Sequence, residues 1–476
     1  MNNLKLLSFI LCISFLPFIS FGQEIWSLEK CVNHAIENSL QVEFSELTLS
    51  GTEIDVNQAK HSRYPNLSAN TNVGWNFGRS VDPTSNQFIT ETFFNNGLSL
   101  SSNVLLYNGG RINNTIQQTL TNNKASLKDL EQTKRDISLN VATVYLNLLF
   151  AKENLQNAEN QLVLTNDQLL QLNKQIAVGN RPENDRLDIE AQIATNEQSI
   201  IEARNNLTIN LLNLKQLLRL DPDYNLDIVN PGNVILDTDP DIITFSELYA
   251  SALKTQPSVA ANDMRVQSAL IGEKISKAAF LPTISASGNL RSNYSNQGRK
   301  LDRIEETVNP IDVVINGQTI SVGFPSQRTF FSKTPYFDQF NDNLSYGVGF
   351  NVNIPIYNNN SARAGLQRAT LNTDRAELSL LQTKETLKIT VGQAHLDAKA
   401  AKARFLATEK TKIAQNNLYN NAVKRFEIGN INAFELTRLK TQMESASINS
   451  IIAKYDYLFR TKILDFYLGK PIILAK

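Results

Sequence analysis

Between Leu127 and Ile176 apolar residues recur at alternating steps of three and four. The series runs through Leu130, Ile137, Val141, Val144, Leu148, Ala151, Leu155, Leu162, Leu169 and Leu172, and only Lys134 and Thr165 interrupt it. A period of 3.5 held this long is the seam of a coiled coil, not the broader stripe of an ordinary globular helix. No proline occurs between Arg111 and Asn180, so a long helix is expected over 111–178. A weaker, alanine-rich seam (Leu387, Val391, Ala394, Ala398, Ala401, Phe405) predicts a second long helix over 362–428. Both end at glycine, in Gly179-Asn180 and Gly429-Asn430, where a left-handed residue stops a helix. Shorter helices are expected at 27–61, 183–218, 244–279 and 433–468.

A different period lies between the first short helix and the long one. Pro65 and Pro282 each stop a helix, because proline has no N–H for the ladder. Beyond Pro65, Leu67, Ala69, Thr71, Val73 and Trp75 alternate with mostly polar neighbours. The returning strand reads Leu98, Leu100, Ser102, Val104, Leu106, and Val348, Phe350, Val352, Ile354, Ile356 repeat it later. Strands are expected at 65–77, 97–107, 282–294 and 344–357. Such alternation over about ten residues suits a membrane strand, apolar to lipid and polar to the lumen. It suits a half-buried soluble sheet equally well.

The chain is written twice. Tyr64-Pro65-Asn66-Leu67-Ser68-Ala69 corresponds to Leu281-Pro282-Thr283-Ile284-Ser285-Ala286 at an offset of 217, and Tyr107 and Val178-Gly179-Asn180 correspond to Tyr357 and Ile428-Gly429-Asn430 at an offset of 250. Constant offsets over long ungapped stretches indicate a duplication. The second copy holds an insertion between its matched blocks. The implied division is a first repeat at 23–220, a linker at 221–243 and a second repeat at 244–476.

Composition narrows the function. Forty-six basic residues balance forty-six acidic ones, so no electrostatic footprint for nucleic acid is present. Lys5 precedes an apolar run from Leu6 to Phe21, followed by Gly22-Gln23. That is the layout of a secretory signal peptide, expected over 1–22. No later stretch approaches the roughly 20 apolar residues of a membrane helix, so any span must be made of strands. Past that signal the chain keeps only Cys31, which cannot form an internal disulfide. His34, His61 and His395 sit in separate helices without ligand spacing, so no metal, cofactor or catalytic site is expected.

The ordered set of Pro65 and Pro282 junctions, the Leu106-Tyr107-Asn108-Gly109-Gly110-Arg111 exit and the two glycine turns resembles the TolC-like outer-membrane efflux family over essentially the whole chain. The resemblance implies an α+β membrane protein of duplicated helix–strand–strand–helix units. It implies a homotrimer whose protomers each give four strands to a twelve-stranded transmembrane β-barrel and their helices to a long periplasmic coiled-coil α-barrel. It also implies outer-membrane lipid, a periplasmic adaptor (membrane fusion) protein and an inner-membrane pump of antiporter or ABC type as partners. The setting would be the outer membrane of a diderm bacterium, without catalysis. The cargo stays open.

Past the turns, Asp185 and Asp188 lie three apart in the first copy and so share a helix face. Their counterparts in the second copy are Glu435 and Arg438, positions at which family members often carry an acidic constriction ring. Arg438 departs from that pattern. The four residues are the candidate periplasmic gate, pairing between protomers; the alternative is that the acidic ones only complement helix dipoles. The insertion, about 295–342, starts charged and then carries Asn316-Gly317 between apolar runs, which predicts an outward-facing hairpin. Two rival functions remain: a secreted coiled-coil adhesin, which has no use for duplicated strand pairs, and a diffusion porin, which would spend most of its length on strands.

Overall fold

A computed structural model describes residues 24–81, 86, 88–90, 92–229 and 238–470. The expected signal peptide lies outside these residues. The elements follow in chain order: β1 (Glu24–Trp26), α1 (Leu28–Asn38), α2 (Leu40–His61), β2 (Asn66–Asn76), β3 (Ser80–Val81), β4 (Phe88–Ile89), β5 (Phe93–Tyr107), α3 (Arg111–Ala177) and α4 (Asn184–Leu217). Then come β6 (Leu226–Ile228), α5 (Phe245–Thr255), α6 (Pro257–Lys277), β7 (Thr283–Ser295), β8 (Arg299–Ile315), β9 (Gln318–Lys333), α7 (Tyr336–Asp342), β10 (Ser345–Asn353), α8 (Ser361–Glu427) and α9 (Ala433–Tyr467). The chain forms two compact units. One holds the residues up to Thr52, Thr121–Val266 and Arg375 onward; the other holds Glu53–Leu120 and Gln267–Asp374.

The first unit is helical. Both α3 and α8 run for 67 residues, roughly 100 Å at 1.5 Å per residue. Along α3, Leu130, Ile137, Val141, Leu148, Ala151 and Leu172 are buried. Along α8, Val391, Ala394, Ala398 and Ala401 are buried. Of the two interruptions in the α3 seam, Lys134 stays at the surface, 3.0 Å from Glu46, whereas Thr165 is fully buried. Around the middle of α3 the core gathers Trp26, Cys31, Tyr145, Leu148, Leu214 and Leu226. Burial pushes the Cys31 thiol up to about 12, so it stays protonated and serves as a small apolar side chain.

Several sequence expectations are corrected. The helix expected at 27–61 is two, broken at Ser39, which is extended (φ −72°, ψ 125°). Asn38 turns its amide back onto the His34 carbonyl at 2.8 Å, and Arg219 donates to the Asn38 carbonyl at 3.0 Å. These bonds satisfy the end of α1 locally. The helix expected at 244–279 breaks at the corresponding place. Gln256 is extended because Pro257 follows it. The segment 221–243 is more than a linker, since β6 pairs in parallel with β1. Residues 230–237 of that segment lie outside the described ones. The strand expected to reach 357 stops at Asn353, because Pro355 cannot donate to a ladder. Its counterpart in the first copy, β5, begins at Phe93 instead of Gly97, so that Phe93–Asn96 pair with Val73–Asn76 of β2.

The second unit carries a four-stranded antiparallel sheet in the order β10-β7-β5-β2. The insertion is a long two-stranded ribbon of β8 and β9. Asn316 (φ 53°) and Gly317 (φ 82°) make its turn, both left-handed, as a type I′ hairpin requires. The charged segment at its start is strand too: Glu305 pairs opposite Arg328, and Arg303 lies over the Phe330 ring at 4.5 Å. A short helix, α7, closes the insertion and was not foreseen. Its buried Gln339 accepts from the Ser295 N–H at 3.0 Å and donates to the Ser295 and Thr334 carbonyls at 2.9 and 3.0 Å.

Candidate functional site

No metal-ligating group of side chains occurs among the described residues, and no described helix is long and apolar enough to cross a membrane. The candidate features are the sheet and the two helix tips.

Strand register sorts the sheet into two chemically opposite faces. Leu67, Ala69, Val73 and Trp75 of β2 share a face with Phe94, Leu98, Leu100 and Val104 of β5. The same face continues through Ile284, Ala286, Leu290 and Tyr294 of β7 to Tyr346, Val348, Phe350 and Val352 of β10. The opposite face is built mostly from amides, hydroxyls and glycine, with Leu105 opposite Ser285 an exception. It shows Asn66, Ser68, Asn70 and Asn72 on β2, then Ser99, Ser101 and Asn103 on β5. It continues with Ser285, Ser287, Asn289 and Arg291 on β7 and Gly347, Gly349 and Asn351 on β10. On the edge strand Tyr346 and Val348 are each 82% exposed and Phe350 is 74% exposed. An apolar face left this open in a single chain is a lipid or protein contact. At one end of the sheet an aromatic row runs from Trp75 to Phe94 (5.2 Å) and on to Tyr294 (6.0 Å). Such rows mark the interface of a membrane barrel. β2 and β7, of 11 and 13 residues, meet the roughly 9–11 residues a tilted membrane strand needs.

The helix-to-strand junctions follow from their residues. Pro65 stands between α2 and β2, and Pro282 stands between a 3-10 turn (Ala278–Phe280) and β7. On the return, Gly109 (φ 66°) and Gly110 (φ 81°) turn β5 into α3. Their counterparts Asn359 (φ 51°) and Asn360 (φ 62°) hold the same left-handed conformation in the second copy. Asparagine tolerates that region better than other side chains.

At the tips, α3 and α8 end alike. The Gly179 N–H donates to the Ile176 carbonyl and the Asn180 N–H to the Gln175 carbonyl, both at 2.9 Å. Gly429 and Asn430 repeat this on Phe426 (3.0 Å) and Arg425 (2.8 Å). Both glycines are left-handed, and this is the Schellman arrangement. The helices that follow start differently. Asn432 caps α9 by accepting from the Glu435 N–H at 2.9 Å, whereas Glu183 gives α4 no side-chain cap.

The candidate gate residues are distributed unevenly. Glu435 and Arg438 pair with each other on α9, with Nε–Oε2 at 3.0 Å and Nη2–Oε1 at 2.7 Å. This fork holds the Glu435 carboxyl below its ordinary range. The folded state therefore favours the charged form, and the stability from this pair is lost only as pH falls through that depressed value. Asp185 is half-buried with its carboxylate 3.6 Å from Arg181, and Asp188 is exposed on α4. Within one chain the structure thus brings Glu435 to Arg438 and Asp185 to Arg181, not the acidic pair to Arg438.

Two groups escaped the sequence reading. Arg181 donates to the Phe426 and Ile431 carbonyls at 2.7 and 2.8 Å and stacks 4.1 Å from the Phe426 ring. One arginine of the first turn therefore braces the second turn. The repeat offset held the signal, because it sets Arg181 against Ile431. The other is a buried polar network. Lys440 of α9 donates to Thr165, and to Gln168 at 3.4 Å. Asn196 of α4 donates to Thr165 at 2.6 Å, Gln168 donates to Tyr419 of α8, and Glu444 lies 3.8 Å from the Lys440 ammonium.

A four-stranded antiparallel sheet with one largely apolar and one amide-rich face, joined in sequence to 67-residue coiled-coil helices, defines a class: outer-membrane proteins with a membrane-type sheet and a helical extension. The outer membrane efflux protein family model matches residues 31–218 and 248–470, and the chain belongs to that family. A curated relative, toxin and drug export protein A of Aggregatibacter actinomycetemcomitans, is 22% identical over 446 residues, covering 91% of this chain and 85% of its own. The fold is similar to that of CusC (TM-score 0.74, 15% identity, 93% of this chain and 92% of that one). It is also similar to that of the outer membrane protein VceC of Vibrio cholerae (TM-score 0.73, 14% identity, 94% and 96%). The chain is thus an outer-membrane efflux protein, and it is not an enzyme. The adhesin and diffusion-porin readings fall with this assignment.

Proposed function

We propose that three copies of this chain form one exit duct, each giving four strands to a closed twelve-stranded barrel. The observation that carries this is the open sheet. β2 and β10 are edges with unpaired backbone, which lipid does not tolerate. With four antiparallel strands per copy, β10 of one copy runs antiparallel to β2 of the next, so identical copies close a uniform ring. The helices support the same reading. On α8, Leu371 and Leu378, Ile389 and Leu396, and Leu406 and Ile413 are exposed in pairs seven apart. That is a second heptad stripe awaiting neighbouring helices.

The duct serves transport driven from the inner membrane by a pump, antiporter-type or ABC, through a periplasmic adaptor docked on the helical part. The turns at Gly179-Asn180 and Gly429-Asn430 are the periplasmic ends, and Asp185, Asp188, Glu435 and Arg438 gate them. The Glu435–Arg438 fork is satisfied inside one helix, so the gate works by exchanging that partner for a carboxylate of the neighbouring copy. The β8–β9 ribbon faces the outside.

Planar-bilayer recording tests both levels. Wild type is expected to give discrete low-conductance steps, and Glu435→Ala and Arg438→Ala larger ones. Unchanged conductance in both variants would remove the gate, and a wild type that forms no channel would remove the duct.

A further inference from the structure

We propose that Arg291 makes the barrel segment of this channel selective for anions, by placing a ring of three guanidiniums in an otherwise neutral lumen. The inference rests on the three-copy barrel proposed above.

The placement comes from register alone. Arg291 of β7 lies opposite Ser345 of β10 on one side and Ser99 of β5 on the other, and Ser99 in turn lies opposite Asn70 of β2. All four belong to the amide- and hydroxyl-rich face, which must be the lumen because the other face is apolar. Among the described positions of that face on the four strands, Arg291 is the only charged residue. Its side chain is exposed. The row Asn70, Ser99, Arg291, Ser345 repeats three times around the barrel, giving three cations spaced by nine neutral side chains.

The dimensions make the ring effective. Twelve strands about 4.8 Å apart and tilted about 40° enclose a barrel roughly 24 Å across. Guanidiniums reaching inward from that wall stand about 10 Å apart. That is close to one Debye length at physiological ionic strength, so their potentials overlap over the passage. Rings of Arg or Lys select anions in pores. Among the described positions of this face, no carboxylate offsets them. Each guanidinium can engage phosphate- or carboxylate-bearing solutes through paired N–H donors.

The test uses the full chain in planar bilayers under a potassium chloride gradient, comparing wild type with Arg291→Gln, Arg291→Glu and Arg291→Lys. The anion-over-cation permeability ratio is expected to fall roughly three- to tenfold in Arg291→Gln and further in Arg291→Glu. In Arg291→Lys it should stay within about twofold of wild type, because charge and not shape sets the field. Inorganic tripolyphosphate, added to each side in turn, should block wild type and Arg291→Lys but not Arg291→Gln. A conducting, heat-dissociable trimer with the same ratio and the same block in all four proteins would overturn this inference alone. A wild type with neither trimer nor channel would overturn the barrel reading with it.

Discussion

Lys440→Ala is expected to destabilise the helical unit by about 3–5 kcal/mol, the range for removing one partner of a buried charged network. The Lys440 side chain is 1% exposed and its Glu444 partner 13%. Truncation leaves Glu444 on α9 and Thr165 and Gln168 on α3 without the ammonium they share. The midpoint of urea unfolding in detergent measures the loss. Lys440→Met separates packing from charge, since it restores most of the volume but none of the donors. If Met recovers the full stability, the network contributes nothing beyond packing. The pH dependence gives a second readout. Burial lowers Lys440 from its ordinary 10.5 to about 8. Between these values the unfolded chain binds more protons than the folded one, so stability rises with pH across that window. Glu444, raised by burial, contributes the opposite slope, but in the acid range above 4.5. The alkaline rise should vanish in Lys440→Met.

Gly109→Val is expected to cost about 3–5 kcal/mol, combining backbone strain and overpacking. Gly109 has φ 66°, which a β-branched residue adopts only under strain. A Cβ there would stand 2.8 Å from Leu281 Cδ1, 2.9 Å from Leu281 Cβ and 3.2 Å from the Ala278 carbonyl. Leu281 precedes the Pro282 junction, so the exit of the first copy packs on the entry of the second. Asn359→Gly, at the corresponding position in the second copy, keeps the left-handed φ available and should change stability by only a few tenths of a kcal/mol. A Gly109→Val protein as stable as wild type would show that this junction relaxes freely.

Much of this was legible in the chain because two periods dominate it. The 3.5-residue seam of α3 and the two-residue alternation of the strands are local signals. They set which face each residue takes. Alternation does not reveal a strand's partner, so the sheet order and the Ser345–Arg291–Ser99 row emerged only with the fold. Proline told part of the story. Pro65 and Pro282 announce helix stops, Pro257 lies inside a continuous helical pattern that masks its break, and the matching break at Ser39 has no proline to announce it. The repeat offsets reveal the insertion and Asn316-Gly317 its hairpin turn, but the length of the two strands is hidden by charged residues that pair across the ribbon instead of forming a loop. At the tips, the acidic residues were visible and their partners were not. Arg181 reaches carbonyls some 250 positions away, and Lys440 sits beside the apolar residues Leu436, Leu439 and Met443. There a lysine reads as a seam flank until the other three helices are in place.

The central claim is that β10 of one copy pairs with β2 of the next. Cysteines introduced on the polar face at Asn70 or Asn72, combined with cysteine at Gly347 or Gly349, sample the registers of that seam. Cβ atoms of facing positions stand about 4.5–5.5 Å apart and closer in non-hydrogen-bonded pairs, near the roughly 3.5–4.5 Å of a disulfide, and Cys31 is buried. At least one pair is predicted to give, on oxidation in isolated outer membranes, a disulfide-linked ladder that ends at three copies and collapses under reducing agent, with no ladder in any single variant. Outer-membrane protein that conducts, yet yields no ladder from any of the four pairs, would contradict the account.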